Sequence, residues 1–108
     1  MMIRHNLKKN KYNAKPTEVD GFRFDSKREA ERYTELKLLK KSGEVIQFLR
    51  QVPFHLPGSV TYRVDFMIFW NGGTVSFEDV KGVETQSFKE KKKIVEELYK
   101  PIVIEVVK

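Results

Sequence analysis

The fold follows from residues 61–81, which read TYRVDFMIFWNGGTVSFEDVK. Aromatic and β-branched residues are frequent on both sides of Asn71, Gly72 and Gly73, which interrupt the apolar pattern. An Asn-Gly-Gly sequence between two such runs is typical of a tight β-hairpin turn, because these residues accept positive φ angles. We therefore predict two antiparallel strands, over Thr61–Trp70 and Val75–Lys81.

Each strand of this hairpin carries an acidic residue that breaks its apolar pattern. Asp65 lies inside the first strand, where an unpaired, buried carboxylate is costly. Asp79 and Lys81 lie two residues apart on the second strand, so both side chains point to one face of the sheet. Glu78 and Val80 point to the opposite face. Asp65 and Asp79 are expected to approach each other, and a cation between them would offset their repulsion. Carboxylate oxygens favour Mg²⁺ or Mn²⁺ over zinc.

Two amphipathic segments predict the helices. In the first, Ala30, Tyr33, Leu36 and Leu39 recur at steps of three and four residues, and Gly43 supplies a left-handed C-terminal stop. The predicted elements in chain order are a small hairpin or turn over Thr17–Phe24, a helix over Ser26–Lys41, a strand over Val45–Leu56, the central hairpin, a helix over Thr85–Tyr99 and a strand over Ile102–Val107. Pro53 predicts a bulge or an edge position for the strand that contains it. The nearly continuous apolar pattern of the last strand predicts that it is covered on both faces.

Composition narrows the class of protein. The 108-residue length fits one compact domain, and the absence of cysteine excludes disulfides, thiolate zinc sites and a cysteine nucleophile. The net charge of +6 is uneven, because residues 1–16 hold five basic and no acidic residues, whereas residues 17–108 hold sixteen basic and fifteen acidic ones. We expect a basic, flexible N-terminal arm followed by a nearly neutral domain. No apolar segment suggests a membrane span or a secretory signal, so an intracellular protein is expected.

Four motifs in order resemble the PD-(D/E)XK nuclease superfamily. They are SKREAERY at residues 26–33, QVPF at 51–54, YRVDF at 62–66 and EDVKG at 78–82. The chain is most similar to small phage-encoded, Holliday-junction-resolvase-like members, many of them catalogued as a domain of unknown function, and the resemblance covers about residues 12–108. It implies a restriction-endonuclease-like αβββαβ core, an α/β fold with a mixed four-stranded sheet flanked by helices.

The resemblance implies roles for the acidic strand ends. Asp65 and Asp79 match the metal-binding acids, Val80 would offer its backbone carbonyl to the same Mg²⁺ or Mn²⁺, and Lys81 matches the catalytic lysine. Val64 stands where the superfamily often has proline, a departure that removes no ligand. Without the resemblance, the two aspartates could instead belong to a structural ion-pair network, and Lys81 could be a strand-end lysine that reaches solvent.

Two further residues have competing interpretations. Glu29 matches the first-helix glutamate that assists the metal site in such nucleases, but Ser26-x-x-Glu29 is also a helix capping box; Glu31 is the reserve choice for the helix glutamate. Gln51 matches a glutamine found near the site in several branches, and its alternative role is to satisfy the backbone of an edge strand.

Basic residues outside these motifs are candidates for contact with DNA phosphates. Lys91 and Lys92 fall on the apolar side of the second helix, which favours projection towards the sheet over a purely solvated face. The arm lysines Lys8, Lys9 and Lys11 would attract phosphates without reading sequence.

The residues and the resemblance together predict a Mg²⁺-dependent DNA endonuclease that hydrolyses phosphodiester bonds. The resemblance alone implies a branched substrate such as a Holliday junction, in phage or prophage recombination or replication inside a bacterial cell. A symmetric cut of a junction needs two active sites, so that substrate predicts a homodimer. The alternatives are a non-catalytic DNA-binding module on the same scaffold and a protein-interaction domain whose basic arm binds an acidic partner.

Overall fold

A computed structural model describes residues 16–108 of the chain. The predicted basic arm therefore lies outside the described residues, except for Pro16. The backbone groups into two compact units, the first ending at Glu35 and the second covering Leu36–Lys108. The elements in chain order are β1 (Thr17–Val19), β2 (Phe22–Phe24), α1 (Lys27–Ser42), β3 (Val45–Leu56), β4 (Val60–Trp70), β5 (Val75–Val80), α2 (Gln86–Leu98) and β6 (Ile104–Val107).

The predicted fold class is confirmed. Strands β3, β4, β5 and β6 form one four-stranded sheet in that order, and β1 and β2 form a separate two-stranded sheet. The pairs β3–β4 and β4–β5 are antiparallel, whereas β5–β6 is parallel because α2 connects these two strands. The sheet is therefore mixed, as predicted. No helix within residues 16–108 has the length and apolar character that a membrane span requires.

The first unit is organised around one tyrosine. The turn between β1 and β2 places Asp20 and Gly21 at φ 55° and 80°, a left-handed conformation typical of two-residue hairpin loops. The Tyr33 ring from α1 lies 5.0 Å from Phe24 and 6.0 Å from Phe22, and its hydroxyl donates to Asp20 Oδ2 at 2.9 Å. These contacts attach the small hairpin to the first half of α1.

Helix α1 ends where the sequence predicts. Gly43 adopts φ 90°, its N–H donates to the Lys40 carbonyl, and the Glu44 N–H donates to the Leu39 carbonyl at 3.0 Å. This pair of bonds is the Schellman motif, which satisfies carbonyls that the helix leaves unpaired. Glu44 also accepts from the Asn71 N–H at 2.9 Å, so the start of β3 is tied to the central hairpin turn.

The outer strands of the sheet differ in how well their patterns predicted them. Strand β3 lies at one edge, which agrees with Pro53, a residue that lacks the N–H needed by a central strand. Strand β6 lies at the other edge. The expectation that it is covered on both faces is wrong, because Glu105 is exposed on the face opposite Ile104. Ile104 is buried, whereas Val106 and Val107 are only half-buried. The β-branched run of β6 reflects strand propensity more than two-sided burial.

One buried cluster of the second unit lies between α2 and one face of the sheet. Phe88 and Val95 of α2 are buried there, together with Phe77 of β5. The complete buried cluster comprises Phe54, Leu56, Tyr62, Val64, Phe77, Phe88, Val95 and Ile104. Because alternate residues of a strand share a face, Asp79 points to the same side of the sheet as Phe77.

The N-terminus of α2 provides a test of this packing. Thr85 caps the helix by accepting the Phe88 N–H on Oγ1 at 3.1 Å. Replacing an N-cap threonine with alanine costs about 1 kcal/mol, so Thr85→Ala should lower the free energy of unfolding by about that amount in urea titrations. Ser87→Ala, at an exposed position of the first turn, is the matched control and should have a much smaller effect. Equal losses in both variants would contradict the assigned cap.

Candidate active site

The site begins where the pairing of β4 with β5 ends. The last backbone pair joins Phe66 and Glu78, and continuation of this register would place Asp65 opposite Asp79. The carboxylates take over the hydrogen bonds at that point. Asp79 Oδ1 accepts from the Asp65 backbone N–H at 2.9 Å, and Asp65 Oδ2 accepts from the Val80 backbone N–H at 2.8 Å. Each aspartate is therefore held by the backbone of the neighbouring strand.

The Asp79 carboxylate is deeply buried and only partly satisfied. Its residue is 1% exposed, and its Oδ2 atom is buried without a hydrogen-bond partner among residues 16–108. An ionised carboxylate accepts several hydrogen bonds, and a buried oxygen that lacks a partner carries a desolvation cost. An unpartnered oxygen beside a second carboxylate is therefore a position at which a bound cation would be favourable.

Burial raises the pKa of Asp79 above the ordinary value of 3.8. The hydrogen bond from the Asp65 backbone and the positive charge of Lys81 lower this pKa, but desolvation is the largest of the three effects. Without a metal ion, the site therefore disfavours the ionised form of the Asp79 carboxyl, which is the form that binds a metal ion.

Lys81 lies on the face of the sheet that alternation predicts. Its Nζ is 5.1 Å from the ring centroid of Phe88, in the first turn of α2, and its side chain is half-buried. Glu78 and Val80 point to the other face and are both buried. The alternation of side chains along β5 thus places Asp79 and Lys81 on one face of the sheet and Glu78 on the other.

Gln51 lies beside Asp65 on the neighbouring strand. Its Nε2 donates to Asp65 Oδ1 at 3.2 Å, and its backbone has φ 54°, inside strand β3. A residue other than glycine in this left-handed region costs on the order of 1 kcal/mol, and such strain is often found at functional sites. The register between β3 and β4 places Gln51 opposite Asp65, so the interruption of the strand coincides with the carboxylate.

Glu29 belongs to the first compact unit. It is 4% exposed in the first turn of α1, and its backbone N–H donates to Ser26 Oγ at 3.1 Å, so Ser26 is the N-cap that the capping-box interpretation expects. A catalytic role for the Glu29 side chain stays a prediction of the resemblance. The reserve residue Glu31 is exposed, and its carboxylate lies 3.8 Å from Arg28.

The two helix lysines predicted to contact DNA have different surroundings. Both are half-buried on α2. Lys92 Nζ lies 3.0 Å from Glu96 Oε2 within α2, and this Glu96 oxygen also accepts the Ile104 N–H at 2.8 Å, so Glu96 connects α2 with β6. Lys91 forms no ion pair within residues 16–108. The predicted arm lysines Lys8, Lys9 and Lys11 lie outside the described residues.

The donor set at the sheet suits one kind of metal. In the described part of the chain, no group of three or more histidine, aspartate or glutamate side chains is assembled, so the structure brings together two carboxylates. Mg²⁺ keeps several water ligands and is commonly held by one or two carboxylates together with substrate phosphates. Asp65 and Asp79 fit that pattern, and the unpartnered Oδ2 of Asp79 offers a ligand atom.

Comparison with known proteins gives a family without an assigned activity. Residues 9–108 match the family described as Protein of unknown function (DUF1064), and the chain therefore belongs to it. No curated protein and no solved structure matches the chain. The functional interpretation accordingly depends on the site.

The raised pKa of Asp79 predicts how stability depends on pH. Between pH 3.8 and the higher pKa of the folded state, the native protein binds more protons than the unfolded chain does. The free energy of unfolding should therefore decrease as pH rises through this interval and should stay lower above it. Asp79→Asn removes the titrating group, so its free energy of unfolding should decrease less over the same interval.

Urea titrations between pH 4 and pH 8, in EDTA to remove divalent cations, measure this difference. Glu105→Gln is the matched control, because Glu105 lies on the adjacent strand and is exposed. Its pH dependence should follow that of the unmodified protein. Parallel curves for the unmodified protein and Asp79→Asn would contradict the proposed cause.

Proposed function

We propose that this protein is a metal-dependent DNA endonuclease that hydrolyses phosphodiester bonds. The observation that carries the proposal is the Asp79 carboxylate, buried against Asp65 with one oxygen unpartnered and with Lys81 on the same face. A purely structural pair of acids would gain stability from a cationic partner within the fold. Here the described residues leave the oxygen unsatisfied, which favours a site built for an external cation.

The proposed ligands are Asp65, Asp79 and the Val80 carbonyl, with Mg²⁺ as the metal and Mn²⁺ as a substitute. Such an ion acts as a Lewis acid that makes a water molecule nucleophilic at neutral pH and offsets phosphate charge. The protein's contribution is orientation: the backbone N–H groups of Asp65 and Val80 hold one oxygen of each carboxylate in place. Their remaining oxygens define where the cation binds.

Lys81 is proposed to stabilise the negative charge that develops on the phosphate during hydrolysis. Water attacks phosphorus and gives up a proton to solvent as its oxygen bonds to phosphorus, and the phosphorus bond to the leaving sugar oxygen breaks as that oxygen takes a proton from solvent. A fixed ammonium beside the reacting phosphate lowers the energy of this charge. No covalent enzyme intermediate is needed. Gln51, through its bond to Asp65, and Glu29, through the resemblance, are proposed to assist.

DNA is the proposed partner because phosphate contacts from lysine side chains supply most non-specific affinity for nucleic acid. Lys91 and Lys92 are the candidates on α2, and Lys8, Lys9 and Lys11 are those on the arm. The nuclease resemblance extends the proposal to branched DNA such as a Holliday junction, to a homodimer, and to the bacterial host cell of a phage.

One observation favours a second candidate function. Only two carboxylates meet in the part of the chain that the structure describes, and a scaffold that binds DNA without cutting it needs no complete metal site. This alternative is a non-catalytic DNA-binding module. It predicts salt-dependent binding and no cleavage in Mg²⁺ or Mn²⁺.

Cleavage assays on purified variants test the nuclease directly. Asp79→Asn and Lys81→Ala should each reduce Mg²⁺-dependent cleavage by about 10²-fold or more, since each removes a group that acts on the reacting charge. Glu105→Gln and Lys89→Ala are matched controls at exposed positions and should cut normally. Holliday junctions, flaps, nicked duplex, linear duplex and single strands form the substrate panel. Undiminished cleavage by either site variant in a folded state would refute the mechanism.

Metal binding should appear in stability as well as in activity. A ligand that binds only the native state at 100 times its dissociation constant raises the free energy of unfolding by about 2.7 kcal/mol. Mn²⁺ or Mg²⁺ should therefore raise the melting temperature of the unmodified protein and of Glu105→Gln, but raise that of Asp79→Asn much less. An equal increase in all three proteins would place the bound metal elsewhere.

A further inference from the structure

The Lys81 ammonium lies over an aromatic ring, although Asp79, two residues before Lys81, carries a buried carboxylate. Within residues 16–108 it forms no ion pair, although its charge acts on Asp79. It lies instead over the ring of Phe88, at 5.1 Å from the centroid. An ammonium within about 6 Å of an aromatic ring is attracted by the negative face of that ring. The contact therefore competes with direct pairing to Asp79.

The Phe88 ring is itself firmly held. The residue is 7% exposed, and its backbone N–H donates to Thr85 Oγ1 at the start of α2. The ring also lies 6.4 Å from that of Tyr62 on β4. Phe88 belongs to α2, whereas Lys81 follows β5. The packing of α2 against the sheet therefore determines where the ring lies and where the Lys81 ammonium can contact it.

We infer that Phe88 is a positioning residue for Lys81, holding the ammonium beside the two aspartates but out of ion-pair contact. This inference rests on the proposed function, in which Lys81 stabilises charge on the phosphate. A lysine paired with Asp79 would satisfy the unpartnered Oδ2 and compete with the metal. The ring offers the ammonium an attraction comparable to that of a surface ion pair, which leaves the carboxylate to the cation.

The competing interpretation is that Phe88 only fills the core. The chain offers a matched residue to separate the two: Phe54 is also 7% exposed and belongs to the same buried cluster. Its ring contacts are to Phe77 and Tyr99, at 5.7 and 5.1 Å, and in the described residues it contacts no cation. Leucine at either position removes a ring from the same core.

NMR of the metal-free protein tests the contact independently of activity. A lysine over an aromatic ring shows ring-current shifts of its ε-methylene resonances. These shifts should disappear for Lys81 in Phe88→Leu and persist in Phe54→Leu and Phe88→Tyr, which keeps the ring. Unchanged Lys81 resonances in Phe88→Leu would refute the contact.

Kinetics on the folded variants test the role. Phe88→Leu should lower kcat for Mg²⁺-dependent cleavage by about 3- to 30-fold, the range expected for loss of a cation–π contact. Phe54→Leu should leave kcat unchanged, and Phe88→Tyr, which keeps an aromatic ring at this position, should also have the kcat of the unmodified protein. Equal kcat in Phe88→Leu and Phe54→Leu would overturn the positioning role. Failure of the unmodified protein to cut any substrate would instead overturn the proposed function, while the resonances still decide whether the contact exists.

Discussion

The site depends on two hydrogen bonds, from the Asp65 backbone N–H to the Asp79 carboxylate and from the Val80 backbone N–H to the Asp65 carboxylate. At the point where β4 and β5 stop pairing, each carboxylate replaces a missing backbone partner on the opposite strand. Ending a ladder inside a sheet normally leaves N–H groups unsatisfied, which is costly when they are buried. The two carboxylates accept hydrogen bonds from these N–H groups, which removes the cost and also fixes the orientation of the carboxylates. Their orientation is therefore a consequence of strand pairing, to which the Gln51 amide adds a side-chain hydrogen bond to Asp65.

The same arrangement stores an electrostatic cost. Asp79 is buried, its pKa is raised by desolvation, and one of its oxygens has no partner within the described residues. Gln51 adds a left-handed backbone inside a strand, next to Asp65. Natural proteins keep such locally unfavourable features where function requires them and offset them through packing elsewhere.

Sheet and helix contribute different parts of the proposed chemistry. Strands β4 and β5 bring the two carboxylates together, whereas α2 supplies the ring on which the Lys81 ammonium rests. Because the capped first turn of α2 carries Phe88, the position of the Lys81 ammonium depends on where this helix starts. An activity that needs both parts is therefore sensitive to changes in the core as well as to changes in the charged residues.

The sequence by itself determined the order of elements, the Asn-Gly-Gly hairpin, and the shared face of Asp79 and Lys81, because these depend on local turn chemistry and on the two-residue period of a strand. It also indicated Gln51, though only through the family resemblance. Tertiary structure alone decided that the β4–β5 ladder ends at Phe66, that Gln51 is left-handed, and that Phe88 meets Lys81. It also decided that β6 is an edge strand. These features depend on the register and packing of segments far apart in the chain, which no local pattern records.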